Sequence, residues 1–335
     1  MFAAKTILFQ IACAKVVGVA LMFITIFGVS IGAPAEELKT VRIGYQKSGA
    51  FLLVRSEGDL EKALSPLGYR VEWTEFSAGP ALIEALNAGS IDIGHSGDCP
   101  VIVAQAAGVP LLYIGNSLPS PESAAIIVPQ NSPLKTVADL KGKKVAFDKG
   151  SSGQYLAALA LESAGLKLTD IQPVYLNPPN ARAAFQSGTV DAWSIWDPFF
   201  AAAEVGSGAR VLISGKGISP HREFYFGRKD YLEQNPAVVD RLLAVLNVSG
   251  ERALKDPDGT AGFLADKLGI SLDILTRSQT RNTRYNAYPL TPAVIAEQQQ
   301  VADFLFNQGI ILKPVKIADA VFHPEKIAAA RKGGS

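Results

Sequence analysis

The residues best suited to holding a small charged molecule are Lys149-Gly150-Ser151-Ser152-Gly153, set between a strand-like run ending at Phe147 or Asp148 and a helical run starting near Gln154. A helix N-terminus offers unpaired backbone N–H groups and the positive end of the helix dipole. Glycine allows an anion to approach closely, and serine hydroxyls add donors, so the segment has the form of an anion cradle. The alternative is that Ser151 or Ser152 only caps the helix. Three other strand-to-helix junctions share the form. Phe76-Ser77-Ala78-Gly79-Pro80 leaves its backbone open at Gly79 and places Pro80 at a first helical position. Ser96-Gly97-Asp98-Cys99-Pro100 and Ile195-Trp196-Asp197-Pro198 join Asp to a nearby Pro, which reads as helix capping, because a carboxylate touching an anion would repel it. Trp196 falls at a strand end, where it either walls a cleft or enters the core. The loop Tyr45-Gln46-Lys47-Ser48-Gly49 adds an amide, a hydroxyl and a positive charge.

Catalytic chemistry is nearly absent. Gly94-His95-Ser96-Gly97-Asp98 misses the G-x-S-x-G nucleophile elbow because its last residue is Asp. The three histidines, His95, His221 and His323, are far apart and lack metal-ligand spacing, and neither a Walker A sequence nor a G-x-G-x-x-G follows a strand. No cofactor and no metal are expected.

The chain of 335 residues, 48% apolar and 19% charged, is long enough for two lobes. Lys5 and Lys15, the apolar run Val16–Val29 and the segment GAPA form the three-part pattern of a cleaved signal peptide over residues 1–35, with Ala33 and Ala35 at the cleavage site. An uncleaved anchor is the alternative, although the apolar run is short for a bilayer. Cleavage removes two of the 32 basic residues and none of the 31 acidic ones, so the mature chain carries a net charge of −1, and nucleic acid is excluded as a partner. Cys13 leaves with the signal, which leaves Cys99 without a disulfide partner and no cysteine for a lipid anchor. A periplasmic monomer is expected.

From Val41 onward, short apolar strands alternate with helical patterns, the mark of βαβ units in a mostly parallel sheet. VRIGYQ, VEWTEF, IDIGHSG and LLYIGN read as strands, and FLLVRSEGDLEKAL, PALIEALNAG and PVIVAQAAG as helices between them. After SLPSPES the pattern restarts, with strands AAIIVPQ, KVAFDKG, QPVYLN, VDAWSIW and RVLISG and helices QYLAALALESAG and ARAAFQSG. Trp73 and Trp193 lie within strand patterns and read as core. Beyond Pro220 long helical patterns dominate, with few strand candidates. ALNAGSIDI, with Gly89 and Asp92, recurs as AFQSGTVDA, with Gly188 and Asp191, each pair 99 residues apart. In each copy a helix ends at a glycine suited to the left-handed C′ position and a strand follows.

VRIGYQK, AGP followed by LIEALNAGSIDIG, GD-x-P followed by AQAAG, NSPLKTVADLKGKKVAF, KGSS, TDIQPVYL, ARAAFQSGTVDAW and IWDPF occur in the order found in the aliphatic sulfonate-binding proteins of bacterial ABC importers, which the chain resembles from Val41 to Pro324. The resemblance weakens after Arg228. It implies an α/β type II periplasmic-binding-protein fold: residues 36–123 and 219–335 in lobe I, 124–218 in lobe II, crossover strands between them and ligand at the interface. It further implies that Gln46, Gly79, Pro80, Gly97 and Asp98 face the cleft from one lobe and Ser151, Ser152, Gly153, Trp196 and Asp197 from the other. A sulfonate stays ionised and only accepts hydrogen bonds, so donors such as Gln46, Ser151 and Ser152 suit it, and no arginine is obligatory. The implied partners are a small organic anion, an alkanesulfonate, and an ABC permease with its cytoplasmic ATPase. Taurine- and nitrate-binding proteins share the fold. Taurine would need a carboxylate such as Asp98, Glu122 or Asp197. A related iron-dependent enzyme of thiamine-pyrimidine synthesis carries a cysteine-rich motif that this chain lacks. Cys99 and Phe51 depart from the family's pattern and bear on substrate choice.

Overall fold

The computed structural model describes residues 38–325, so the signal-peptide segment lies outside the described residues. Among the described residues ten strands form two sheets: β1 (Lys39–Tyr45), β2 (Tyr69–Glu75), β3 (Ile93–Gly97), β4 (Leu111–Asn116), β5 (Ala124–Val128), β6 (Lys144–Phe147), β7 (Gln172–Tyr175), β8 (Ala192–Trp196), β9 (Arg210–Ser214) and β10 (Glu223–Arg228). The first sheet has the order β2-β1-β3-β10-β4 and the second β7-β6-β8-β5-β9. β10 is antiparallel to both its neighbours, and so is β5. The expected α/β architecture of two sheets flanked by helices is borne out; each sheet is mixed, with two parallel and two antiparallel pairings.

Each parallel strand leads directly into a helix. β1 leads into α1 (Gly49–Glu57), which α2 (Asp59–Leu64) follows; β2 leads into α3 (Gly79–Asn87) and β3 into α4 (Asp98–Ala106). In the second sheet β6 leads into α5 (Ser152–Ser163), β7 into α6 (Pro178–Gln186) and β8 into α7 (Phe199–Ser207). After β10 come α8 (Lys229–Gln234), α9 (Pro236–Lys255), α10 (Pro257–Leu268), α11 (Leu272–Gln279) and α12 (Pro292–Asn307). Among the described residues no helix is long and apolar enough to cross a membrane.

Two sequence expectations need correction. FLLVRSEGDLEKAL is two helices, because Gly58 takes the left-handed conformation at φ +70 and its N–H closes α1 on the Val54 carbonyl at 3.0 Å. The region after Pro220 also holds β10, which enters the middle of the first sheet. Tyr225 packs on one face while Phe224 and Phe226 pack on the other. A strand buried on both faces lacks the alternation that marks an exposed strand, so helical periodicity obscured it.

The internal repeat is structural. Gly89 and Gly188 both adopt positive φ, and the residues after them, Ser90 and Thr189, donate back to the Ala85 and Ala184 carbonyls at 2.9 Å each. Asp92 and Asp191 then accept from the backbone N–H of the neighbouring strand, Arg42 at 3.0 Å and Lys144 at 2.8 Å. Asp92 also receives the Arg42 guanidinium at 2.6 Å.

The chain crosses between the sheets through residues 117–123 and 215–222, which are hydrogen-bonded to each other. Ser117 N–H donates to the Glu223 carbonyl at 2.8 Å and Ser120 N–H to the Pro220 carbonyl at 3.0 Å. Gly215 lies so close to the Pro121 carbonyl that a Cβ would stand 2.5 Å from it.

Asp92 is buried and Asp191 exposed, so Asp92→Ala is expected to cost about 2 kcal/mol in chemical denaturation and Asp191→Ala less than about 1 kcal/mol. Equal costs would show that the repeated Asp does not act through its strand contacts.

Candidate functional site

A cleft lies between the C-terminal edges of the two sheets, where the N-termini of four helices meet. Ser48 and Gln46 precede α1, Gly79 opens α3, Gly97 and Pro100 open α4, and Ser151 and Ser152 open α5. Trp196, at the end of β8, and His221 and Glu223, from the second crossover and β10, complete the lining. Ala78, Gly97 and Ser48 are the N-caps of α3, α4 and α1, and none supplies a side-chain cap. Their first N–H groups and dipole ends therefore favour an anion in the cleft. The cleft is narrow: its open volume is about 20 Å³, room for about one water molecule.

The structure separates the expected site residues into two groups. Gln46, Gly79, Gly97, Ser151, Ser152 and Trp196 line the cleft. Pro80 instead lines a neighbouring groove, because at the second helical position it turns away from the wall that Gly79 forms. Gly153, Asp98 and Asp197 lie behind the lining. Gly153 lets α5 pack on β8, since a Cβ there would stand 2.8 Å from the Ser194 carbonyl oxygen.

The serines are also committed within the protein. Ser151 Oγ accepts from the Gly153 and Gln154 N–H groups at 3.1 and 3.3 Å and donates to the Asp148 carbonyl at 2.7 Å, so it caps α5. Ser152 Oγ donates across the cleft to Asp98 Oδ1 at 2.7 Å. Reading Asp98 as a cap needs correction: Gly97 is the N-cap, and Asp98, the first helical residue, accepts from the Cys99 N–H at 2.9 Å and bridges to Ser152. Asp197 accepts from the Ala201 N–H at 3.0 Å, as a cap does, and is held by the Arg281 guanidinium at 2.9 and 3.1 Å.

Sequence reasoning missed His221 and Glu223, which line the cleft, and the roles of His95 and Arg284 beside it. Gln46 N–H donates to His95 Nε2 at 3.1 Å, so the His95 proton sits on Nδ1, which is 2.6 Å from Glu223 Oε1. The Gln46 amide donates to the His95 carbonyl at 3.1 Å, so β10 orients Gln46 through His95. Burial raises the Glu223 carboxyl, but His95 outweighs it and holds Glu223 below the usual carboxylate range. Arg284 is 2% exposed. Its Nη1 faces His221 Nε2 at 3.2 Å, its Nε donates to Asn282 Oδ1 at 3.2 Å, and its Nη2 is buried without a hydrogen-bond partner. It lines an adjoining pocket with Ser48. A buried cation without a paired carboxylate favours an anion nearby. Burial, with Arg284 beside it, pushes the His221 imidazole well below its ordinary range, so it stays neutral. His221 carries a φ of +48, a left-handed conformation unusual for a non-glycine residue. His221, Glu223 and Arg284 have no local motif: they come from the second crossover, β10 and the C-terminal segment, and only tertiary folding brings them to Gln46 and to His95 of β3.

Burial pushes Asp98 up to about 6, against the hydrogen bonds from Ser152 and Cys99. A folded-state value above the unfolded one means that stability falls as pH rises from about 4 through 6, so Asp98→Asn is expected to raise Tm at pH 8. Protonation also removes a negative charge beside the cleft. Affinity for a permanently charged anion should therefore rise about threefold to tenfold from pH 8 to pH 5 in the native protein and stay flat in Asp98→Asn, as read by titration calorimetry. Gly97→Ala would place a Cβ 2.2 Å from Ser152 Oγ. It is expected to displace the Ser152 hydroxyl from the cleft, weakening anion binding at least about tenfold, and to lower Tm because the buried Asp98 loses its hydrogen bond.

A family model described as NMT1/THI5 like matches residues 68–260. The alkanesulfonate-binding protein SsuA from Xanthomonas axonopodis pv. citri, bound to MOPS, is 40% identical with a TM-score of 0.81, over 86% of this chain and 99% of its own. The periplasmic aliphatic sulphonate binding protein SsuA from Escherichia coli is 42% identical with a TM-score of 0.76, over 85% of this chain and 92% of its own. These close relatives are binding proteins. The desulfurization enzyme DSZB, 18% identical with a TM-score of 0.61 over 89% of this chain and all of its own, shares the fold alone. The chain belongs to the NMT1/THI5-like family and, within it, is similar to the SsuA sulfonate-binding proteins over most of its length.

Proposed function

We propose that this chain is the extracytoplasmic solute-binding component of an ABC importer and captures aliphatic sulfonates. The observation that carries the reading is the convergence of four helix N-termini from two sheets on one cleft beside the buried Arg284. A sulfonate has three acceptor oxygens, no proton to donate and a charge that persists at biological pH, which matches a site built from N–H donors. The ligand named for the SsuA relatives supports the same assignment.

Residues 36–123 and 219–335 act as one lobe and residues 124–218 as the other, hinged at the two crossovers. The narrow cleft is too small for a sulfonate as it stands, so binding requires the lobes to part and the Ser152–Asp98 bridge to yield. Ligand oxygens then take the Ser152 hydroxyl and the free helix N–H groups, and closure presents a surface to a permease driven by a cytoplasmic ATPase. After export to the periplasm and removal of residues 1–35, the chain works as a monomer and catalyses nothing. A second reading, an amino-bearing sulfonate such as taurine, is favoured by Glu223, which lines the cleft and whose Oε2 is buried without a partner.

Calorimetric titration with ethanesulfonate, taurine, sulfate and nitrate tests the reading. Saturable binding of ethanesulfonate is expected, weakened about tenfold to a hundredfold in Arg284→Gln. Taurine binding tighter than ethanesulfonate and lost in Glu223→Gln would establish the second reading, and no response to any sulfonate would overturn both.

A further inference from the structure

We propose that Glu223 sets the charge the cleft accepts: it admits singly charged sulfonates and turns away dianions such as inorganic sulfate. The inference rests on the sulfonate reading and adds a specificity-determining residue to it. Sulfate and methanesulfonate have nearly the same tetrahedral shape, and differ by an oxygen in place of a methyl group and by one unit of charge. Donors alone do not favour the sulfonate, since N–H groups and a guanidinium attract a dianion more strongly. A fixed negative charge in the wall reverses that order.

Glu223 supplies such a charge. It lines the cleft, is 2% exposed and keeps Oε2 buried without a hydrogen-bond partner. His95 does not neutralise it. Its Nε2 accepts the Gln46 N–H at 3.1 Å, so the ring carries one proton, on Nδ1, 2.6 Å from Glu223 Oε1, and is uncharged. Glu223 Oε2 also lies against the first turn of α1, where a Cβ on Gly49 would stand 2.2 Å from it. The positive end of that helix is therefore already partly offset by an internal carboxylate.

The other charges around the cleft leave little surplus. Lys47 pairs with Glu75 at 3.2 Å, Arg281 with Asp197 at 2.9 Å and Arg222 with Glu297. Arg284 has a buried Nη2 without a partner, and its charge is matched in size by that of Glu223. Asp98, whose Oδ2 is likewise buried without a partner, adds a second carboxylate behind Ser152. The helix N-termini are left to balance the ligand. One negative charge suits them, and a second would face the Glu223 carboxylate across the cleft.

The test is calorimetric titration of the native protein and Glu223→Gln with methanesulfonate, sulfate and methylphosphonate. The native protein is expected to bind methanesulfonate at least about a hundredfold more tightly than sulfate, and Glu223→Gln to narrow that ratio at least about tenfold by gaining affinity for sulfate. Methylphosphonate checks the rule without a substitution, because it carries one charge in mild acid and two in mild base. Between about pH 5 and about pH 9 its affinity for the native protein should fall at least about tenfold more than that of methanesulfonate, whose charge is fixed. That excess should shrink in Glu223→Gln. Sulfate bound as tightly as methanesulfonate by the native protein, equal changes for both ligands in Glu223→Gln, or methylphosphonate tracking methanesulfonate across the pH range overturns the charge rule and leaves the sulfonate reading standing. Absence of binding by every sulfonate overturns both.

Discussion

In a parallel strand-to-helix unit, the helix starts at the C-terminal edge of its strand, so every such unit in a sheet delivers a helix N-terminus to the same edge. Here two sheets built this way face each other across paired crossovers, and α1, α3, α4 and α5 begin at the shared cleft. The positive potential of the cleft is therefore a consequence of topology before any side chain is considered. Glycine at positions 79 and 97 keeps this backbone accessible. At either position a Cβ would come within 3 Å of Ser96, Pro100 or Ser152.

Side chains refine that field. His95 ties Gln46 to Glu223, Ser151 caps α5, and Arg284 supplies a buried charge through His221. The Ser152–Asp98 contact and the Arg281–Asp197 pair both span the two sheets, so the closed arrangement has hydrogen bonds of its own. On the proposed function, a ligand replaces the first of these on entry, which would make closure a competition between an internal carboxylate and an external anion for one hydroxyl.

The strand-and-helix order was legible because hydrophobic periodicity and glycine stops are local. Nine of the ten strands read correctly from such signals, and the Gly89/Gly188 repeat marked matching corners of the two sheets. β10 was hidden because burial on both faces removes alternation. The cleft residues contributed by helix N-termini, such as Gly97 and Ser151, were legible for the same local reason. Asp98 was read as a cap because its proximity to Pro100 looks like capping, whereas the carboxylate serves a residue 54 positions away. His221, Glu223 and Arg284 act through contacts across the fold, and no spacing rule announces them.

The most direct measurement is a crystal structure of the mature protein with ethanesulfonate, with the ligand sulfur located by its anomalous signal. The sulfur is expected in the cleft, its oxygens within hydrogen-bond distance of the N-termini of at least two of α1, α3, α4 and α5, and Ser152 turned from Asp98 towards the ligand. A sulfonate bound elsewhere, or in the cleft with the Ser152–Asp98 hydrogen bond intact and no helix N–H in contact, would contradict it.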